Sequence, residues 1–175
     1  MLKEVLNLLT KDEIELATQY WNIKKHTMDL CNQCPNSKSE YSDILSETFL
    51  LSKLPTIEKA FEERLLPTYS FSRLYLNNSE LPIHCDRPSC EVSVTISIFM
   101  DKEWKIHMRR KDNQKTFSLN TFPGNGIIYE GMKYDHWRDK YEGQECMQIF
   151  LHYVRSNGQY KDYHKDKRDN FGMPR

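Results

Sequence analysis

The spacing of hydrophobic residues changes near Pro67. Before Pro67, apolar residues recur at intervals of three and four, which indicates amphipathic helices. Thr10 and Glu13 can form a capping box for the first helix, and Pro55 suits the beginning of the third. The pattern therefore predicts helices over about 12–20, 44–54 and 56–65.

After Pro67, the pattern becomes typical of β-strands. In Val92–Phe99, valine and isoleucine alternate with serine and threonine, which predicts a half-buried strand. Residues 27–43 are polar and are predicted to form a loop. Further strands are predicted at 68–76, 104–108, 115–119, 126–129, 133–138 and 146–154. Helices followed by seven or eight strands indicate an α+β fold with a sandwich or barrel.

The length and composition suit a single domain without a strongly charged partner. The chain has 175 residues and balances 25 basic against 25 acidic side chains. We therefore expect no general attraction to nucleic acid or to an anionic membrane, and no apolar run has the length of a membrane span. The short basic cluster His107–Lys111 could meet an acidic or nucleic-acid partner, but a solvated loop explains it better. We expect a soluble, cytoplasmic protein.

The five cysteines do not suggest a disulfide framework, because their number is odd and no signal peptide is evident. Cys31 and Cys34 form a CxxC motif. With His26 as a third ligand, the motif could bind zinc, and it could also be a redox pair. Unpaired thiols in a loop are the simpler interpretation.

The strongest chemical signal is the pair His84 and Asp86, which immediately precedes the best strand. On an extended chain, residues i and i+2 point to the same side, so both can reach one metal ion. His136 follows far downstream between β segments and could return beside them in a jelly roll. Two histidines and one carboxylate form the ligand set of non-haem Fe(II) oxygenases. A surface His–Asp pair and a separate core histidine are the alternative.

These residues resemble the Fe(II)- and 2-oxoglutarate-dependent dioxygenases, in particular a prolyl-4-hydroxylase-like branch with small bacterial and phage members. The resemblance covers roughly the last two-thirds of the chain and is more specific than the His–Asp pair alone. It rests on Leu66–Ser70, Arg73–Tyr75, His84–Glu91, His136–Arg138, Gln148–Tyr153 and Asn170–Pro174.

The resemblance implies a double-stranded β-helix, or jelly roll, with the N-terminal helices packed on one sheet. The single domain 1–175 would then divide into helical support over 1–66, a jelly-roll core over 67–154 and an irregular tail over 155–175. It implies Fe(II) bound by His84, Asp86 and His136, with 2-oxoglutarate and O2 as cosubstrates. Hydroxylation of a C–H bond would yield succinate and CO2 as co-products.

The resemblance also implies a binding site for the far carboxylate of 2-oxoglutarate. Tyr75 matches a cosubstrate-binding tyrosine of the prolyl hydroxylases. The basic residue that the family places nine or ten positions after the second histidine is missing, since Glu145 and Cys146 stand there. Arg138 is the preferred substitute because it shares the side of His136, and Arg73 and Arg87 are alternatives. Gln148, on the last strand with Phe150 and His152, is predicted to line the same pocket.

The family branch favours a peptidyl substrate, with proline as one candidate, and a small metabolite is the alternative. Two other functions are compatible with the motifs. One is a non-catalytic jelly-roll module, for binding or in a virion. The other is a cupin-like metalloenzyme that does not use 2-oxoglutarate. The sequence leaves the oligomeric state, the host and the substrate open.

Overall fold

Eleven strands form two antiparallel sheets in a computed structural model of the protein, which describes residues 1–174. The strands are β1 (Leu2–Val5), β2 (Asp29–Leu30), β3 (Ser37–Tyr41), β4 (Leu65–Leu76), β5 (Leu81–His84), β6 (Val92–Met100), β7 (Lys105–Arg110), β8 (Thr116–Asn120), β9 (Gly126–Tyr129), β10 (Tyr134–Arg138) and β11 (Glu145–Arg155). The large sheet has the order β1-β9-β6-β11-β4-β3-β2, and the small sheet has the order β5-β10-β7-β8.

Three α-helices cover one face of the large sheet: α1 (Lys11–Lys24), α2 (Ile44–Ser52) and α3 (Leu54–Phe61). The capping box at the beginning of α1 is present, since the Thr10 side chain accepts from the Glu13 amide and the Glu13 carboxylate accepts from the Thr10 amide. Trp21, Leu50 and Phe61 of the helices join the apolar residues of β6 and β11 in the main core. The predicted α+β jelly roll with helices on one sheet is confirmed.

The opposite face of the large sheet carries polar side chains into the space between the two sheets. Alternation along the strands explains this division, because successive residues of a strand point to opposite faces. In β6, Val94 and Ile96 belong to the helix-side core, while Ser93 and Thr95 make hydrogen bonds inside the jelly roll. The large sheet therefore packs an apolar face against the helices and directs these hydroxyl groups into the interior of the jelly roll.

Two details of the sequence prediction were wrong. Val92–Phe99 is not half-buried, since Ser93, Thr95 and Ser97 are fully buried against the second sheet. The predicted loop over 27–43 contains β2 and β3, which extend the large sheet beyond β4. These strands were missed because they are short and polar; β2 forms the edge of the sheet, where such strands are common.

After β11, the described residues form mainly turns and bends, with a 3-10 segment at Lys161–Lys167. They are nevertheless attached to the core, because Arg168 forms a buried ion pair with Glu47 at 2.6 Å. Within residues 1–174 the longest helix, α1, has 14 residues, and no helix meets the length and hydropathy that a bilayer crossing demands.

Candidate metal centre

His84 and His136 lie opposite each other on the neighbouring strands β5 and β10. Their ring centroids are 4.2 Å apart. In β10 every second residue is buried, and this alternation directs His136 into the interior. The strand pairing thus brings together two histidines that are far apart in the sequence.

Asp86 completes a group of three potential ligands. Its Oδ1 lies 3.7 Å from Nε2 of His136, and the donor atoms of all three residues lie within 4.8 Å of one another. The Asp86 amide donates to the Gly131 carbonyl at 3.2 Å, which fixes the chain just after β5. The structure therefore brings His84, Asp86 and His136 together, and their role as metal ligands stays a prediction.

The hydrogen bonds of the two imidazoles suit metal binding. Nδ1 of His84 lies 2.9 Å from the Pro82 carbonyl, and Nδ1 of His136 lies 3.3 Å from the Tyr134 carbonyl. Because a carbonyl oxygen can only accept, both Nδ1 atoms must carry the hydrogen, which leaves the lone pair on Nε2. Burial lowers the pKa of His136, and the nearby His84 acts in the same direction against the opposing charge of Asp86. Neutral imidazole is the form that binds a metal.

Ser93 binds the second oxygen of the Asp86 carboxylate, and His152 in turn binds Ser93. Ser93 Oγ donates to Asp86 Oδ2 at 2.8 Å and lies 2.9 Å from Nδ1 of His152. Burial lowers the pKa of His152 to about 4, so its ring is neutral and Nδ1–H can donate to Ser93. Asp86 Oδ1 is thereby left to face His136. A second group of potential ligands, Asp86 with Cys90 and His152, shares this carboxylate.

Gly131 leaves space for the Asp86 side chain. A Cβ atom added at position 131 would lie 2.3 Å from Asp86 Oδ2 and 2.3 Å from the Cys90 carbonyl oxygen. Both distances are far shorter than a van der Waals contact allows. Sequence reasoning missed Gly131 and Ser93, since a single glycine or serine gives no signal without the fold.

A cavity of about 280 Å³ adjoins the three potential ligands, all of which line it. Its wall also includes Phe71 and Arg73 of β4 and Phe150 of β11. This volume is just below the usual range for small-molecule sites, about 300–1,000 Å³. The cavity therefore combines a candidate metal centre, apolar rings and a cation.

Arg73 is 4% exposed and has no acidic partner among the described residues. Its Nη1 donates to the Tyr75 hydroxyl at 3.1 Å, and its Nη2 donates to Gln33 Oε1 at 2.6 Å. The guanidinium lies 5.1 Å from the centre of the Phe71 ring, and its Nε has no hydrogen-bond partner. A buried cation without a carboxylate is costly, and an anionic ligand would compensate it.

Arg138 is a second buried cation of this kind, at 1% exposed. It donates to the Trp104 carbonyl at 3.0 Å and to Thr121 Oγ1 at 3.4 Å, and its Nε has no partner. Burial lowers the pKa of Arg138, while nearby Tyr75 acts against this change. Unlike Arg73, it is not part of the cavity wall.

Tyr75 and Gln148 also lie behind the wall rather than in it. The Tyr75 ring packs edge-on against Trp104, with centroids 4.8 Å apart, and its hydroxyl accepts from Arg73. Gln148 accepts from Thr95 at 3.4 Å and donates to Cys146 at 3.2 Å. The cosubstrate roles of Tyr75, Arg138 and Gln148 stay predictions. The remaining candidate, Arg87, is bound by both oxygens of Asp166 at 2.8 and 2.7 Å.

Solved structures with the same fold include several oxygenases. A prolyl-4-hydroxylase from Pseudomonas putida has a TM-score of 0.70 and 11% identity, over 88% of this chain and 92% of that chain. A Trichoplax adhaerens prolyl hydroxylase, in complex with a hypoxia inducible factor peptide fragment, has a TM-score of 0.71 and 12% identity, over 95% and 87%. HygX from Streptomyces hygroscopicus, with nickel, 2-oxoglutarate and hygromycin B bound, has a TM-score of 0.68 and 9% identity, over 89% and 83%.

No protein-family model and no curated protein sequence matches the chain. The protein has the fold of the Fe(II)/2-oxoglutarate oxygenases, and its structural neighbours include prolyl hydroxylases. The resemblance recognised in the sequence is therefore confirmed at the level of the fold. At these identities, the chemistry has to be argued from the residues of the site.

Proposed function

We propose that the protein is an Fe(II)- and 2-oxoglutarate-dependent dioxygenase that hydroxylates a C–H bond. The observation that carries the proposal is the convergence of His84, Asp86 and His136, with both Nδ1 atoms bonded to carbonyls. Two histidines and one carboxylate hold Fe(II) and leave other coordination positions open. Bound there, Fe(II) with 2-oxoglutarate and O2 would supply the oxidation, and succinate and CO2 would be the co-products.

We assign the far carboxylate of 2-oxoglutarate to Arg73, with Tyr75 orienting its guanidinium. Arg73 lines the same cavity as the three ligands and lacks an acidic partner. Guanidinium groups bind carboxylates through two parallel hydrogen bonds. Arg138, the residue preferred from the sequence, would add positive charge from behind the wall. Phe71 and Phe150 would exclude water from the bound cosubstrate.

The substrate we propose is a peptide, with a prolyl side chain as one candidate. The support is the structural likeness to prolyl hydroxylases, one of which was solved with a peptide fragment. The HygX structure, with hygromycin B bound, supports a small molecule as the alternative. We also propose that the protein is located inside the cell, which the five free cysteines favour.

The test is succinate formation by protein reconstituted with Fe(II), 2-oxoglutarate and O2, with and without a panel of proline-containing peptides. We expect His84→Ala and Asp86→Ala to abolish succinate formation. His107→Ala is the matched control, because His107 lies on β7 beside β10 and bonds Ser118 outside the cavity. This variant should retain turnover.

The outcome separates the alternatives. Turnover retained in both ligand variants would refute the assignment of the metal centre. Metal binding without any 2-oxoglutarate binding would favour a cupin-like metalloenzyme. The absence of both would favour a non-catalytic binding module.

A further inference from the structure

The CxxC motif lies in the turn between β2 and β3, beside the cavity. Cys34 is fully buried, whereas Cys31 is partly exposed, and both thiols are free. Cys31 and Cys34 pack in the same cluster as Tyr75 and Phe150. The motif therefore combines a partly exposed thiol with a buried one, next to residues that surround Arg73.

The two thiols are electronically different. A hydrogen bond with the Cys34 thiol lowers the pKa of Cys31 well below its ordinary value, and the charge of Arg73 adds to this effect. The same hydrogen bond and burial raise the pKa of Cys34. Cys31 is thus the thiolate of the pair, and the thiolate is the reactive form of cysteine.

A zinc site does not fit this motif. Among the described residues, the groups of three or more potential ligands are those that contain Asp86, and neither includes Cys31 or Cys34. His26, considered from the sequence as a third ligand, is not brought together with the two thiols. The motif therefore has the composition of a dithiol couple rather than that of a metal centre.

Gln33 connects the motif to the cavity. It stands between the two cysteines, lines the cavity and accepts the hydrogen bond from Arg73 at 2.6 Å. Arg73 is therefore hydrogen-bonded to Gln33 and is also attracted electrostatically by the Cys31 thiolate. A change in the covalent state of the cysteines therefore affects two of the groups that surround this cation, Gln33 and Cys31.

We propose that Cys31 and Cys34 are a reversible dithiol–disulfide couple, oxidised by a hydroperoxide, and that its state sets the affinity of the cavity for an anionic ligand. The Cys31 thiolate attacks one peroxide oxygen, the O–O bond breaks, and Cys31 becomes a sulfenic acid. The Cys34 thiol then attacks the Cys31 sulfur and releases water. In sum, two thiols and one hydrogen peroxide give one disulfide and two waters.

Oxidation removes the negative charge of the Cys31 thiolate beside Arg73. An anion in the cavity then no longer competes with the Cys31 thiolate for the guanidinium of Arg73. The affinity of the cavity for the anion should therefore rise. By linkage, the bound anion should favour the disulfide to the same extent. The effect on 2-oxoglutarate rests on the proposed function, whereas the thiol chemistry does not.

The thiol chemistry is tested by peptide mass spectrometry, without metal or cosubstrate. Trypsin releases both cysteines in one peptide, His26–Lys38. After treatment with one equivalent of hydrogen peroxide and blocking of free thiols, this peptide should be unblocked and lighter by two hydrogens, and dithiothreitol should restore both thiols. In Cys34→Ser, which keeps a hydroxyl donor near Cys31, a sulfenic acid should be trapped by dimedone. If Cys31 reacts no faster than the partly exposed Cys85, the redox couple is refuted.

The coupling is tested by the affinity for 2-oxoglutarate with Mn(II), under nitrogen, in reduced and oxidised protein. The oxidised protein should bind at least threefold more tightly, and reduced Cys31→Ser, which lacks the thiolate, should match it. Reduced Cys34→Ser should bind as weakly as the reduced wild type. Equal affinities in all four samples would overturn the coupling. Failure of every sample to bind 2-oxoglutarate would instead overturn the proposed function and leave the thiol result standing.

Discussion

Replacement of Arg73 by methionine tests which cation holds the cosubstrate. Arg73→Met keeps the length and apolar stem of the side chain and removes the guanidinium that lines the cavity. Hydrogen bonds to charged groups contribute about 1.5–3 kcal/mol each, so loss of a paired carboxylate contact should cost about 3 kcal/mol. This loss corresponds to roughly a 100-fold weaker affinity for 2-oxoglutarate.

The same change should have little effect on the free protein. It leaves the Tyr75 hydroxyl and the Gln33 amide without their donor, but it also removes a buried cation that has no acidic partner. These contributions oppose each other, so we expect the free energy of unfolding to change by about 1 kcal/mol or less. A purely structural role for Arg73 predicts the reverse: a clear loss of stability with an unchanged affinity.

The assay is the thermal shift that 2-oxoglutarate produces with Mn(II) under nitrogen. At a concentration 100 times the wild-type Kd, the ligand should stabilise the wild type by about 2.7 kcal/mol, and the variant by only about 0.4 kcal/mol. For a chain of this size, the first value corresponds to a Tm increase of roughly 5–10 °C, and the second to about 1 °C. Arg138→Met is the matched control, since Arg138 is equally buried but lies behind the wall. If Arg138→Met loses the shift and Arg73→Met keeps it, the assignment of the anchor to Arg73 is wrong.

Three further substitutions test the support of the site and of the fold. Ser93→Ala removes the hydrogen bond that fixes Asp86 and should weaken Mn(II) binding about tenfold in a metal titration. Ser97→Ala is the control and should leave Mn(II) binding unchanged, because Ser97 lies on the same side of β6 but its hydroxyl has no hydrogen-bond partner. Gly131→Ala should displace Asp86 and abolish Mn(II) binding in the same titration while the far-UV circular dichroism stays native, and retained binding would contradict the close contact. The Glu130 carboxylate, whose pKa is held at about 2 by cationic partners against the effect of burial, stabilises the fold above pH 4.5 and loses this contribution as the pH falls towards 2. Glu130→Gln should therefore cost about 2 kcal/mol at pH 7 and almost nothing at pH 2 in urea unfolding, and an equal cost at both values would contradict it.

The sequence was sufficient for the parts of the fold in which local pattern and tertiary structure agree. The capping box at Thr10 and the alternation in Val92–Phe99 both predict the observed elements. The burial of Ser93 and Thr95 could not be predicted, because serine and threonine on a strand normally indicate a solvated face. Here that face forms the interior of the jelly roll, where His152 and Gln148 satisfy the hydroxyl groups.

The candidate ligands were recognisable because their spacing follows local geometry. His84 and Asp86 share one side of an extended segment, and only the return of His136 depends on strand pairing. The residues that support them come from other strands at no fixed distance in the sequence. Ser93 lies on β6, His152 on β11 and Gly131 between β9 and β10, so they could be assigned roles only after the sheets were assembled.

The position that we propose for the anion site differs from the one predicted from the sequence, for a physical reason. The family's basic residue would come from β11, where Cys146 now lies buried beside the guanidinium of Arg138. Because residues i and i+2 of a strand share a side, Arg138 was correctly predicted to point inward like His136. This spacing does not show whether the side chain reaches the cavity, and Arg138 does not line it. β4 crosses the same interior and presents Arg73 directly to the cavity, with Gln33 of the CxxC turn as its partner. If Arg73 is the anchor, transfer of this function from β11 to β4 brings the cosubstrate next to two thiols. Any oxidation of those thiols then acts on the group that binds the cosubstrate.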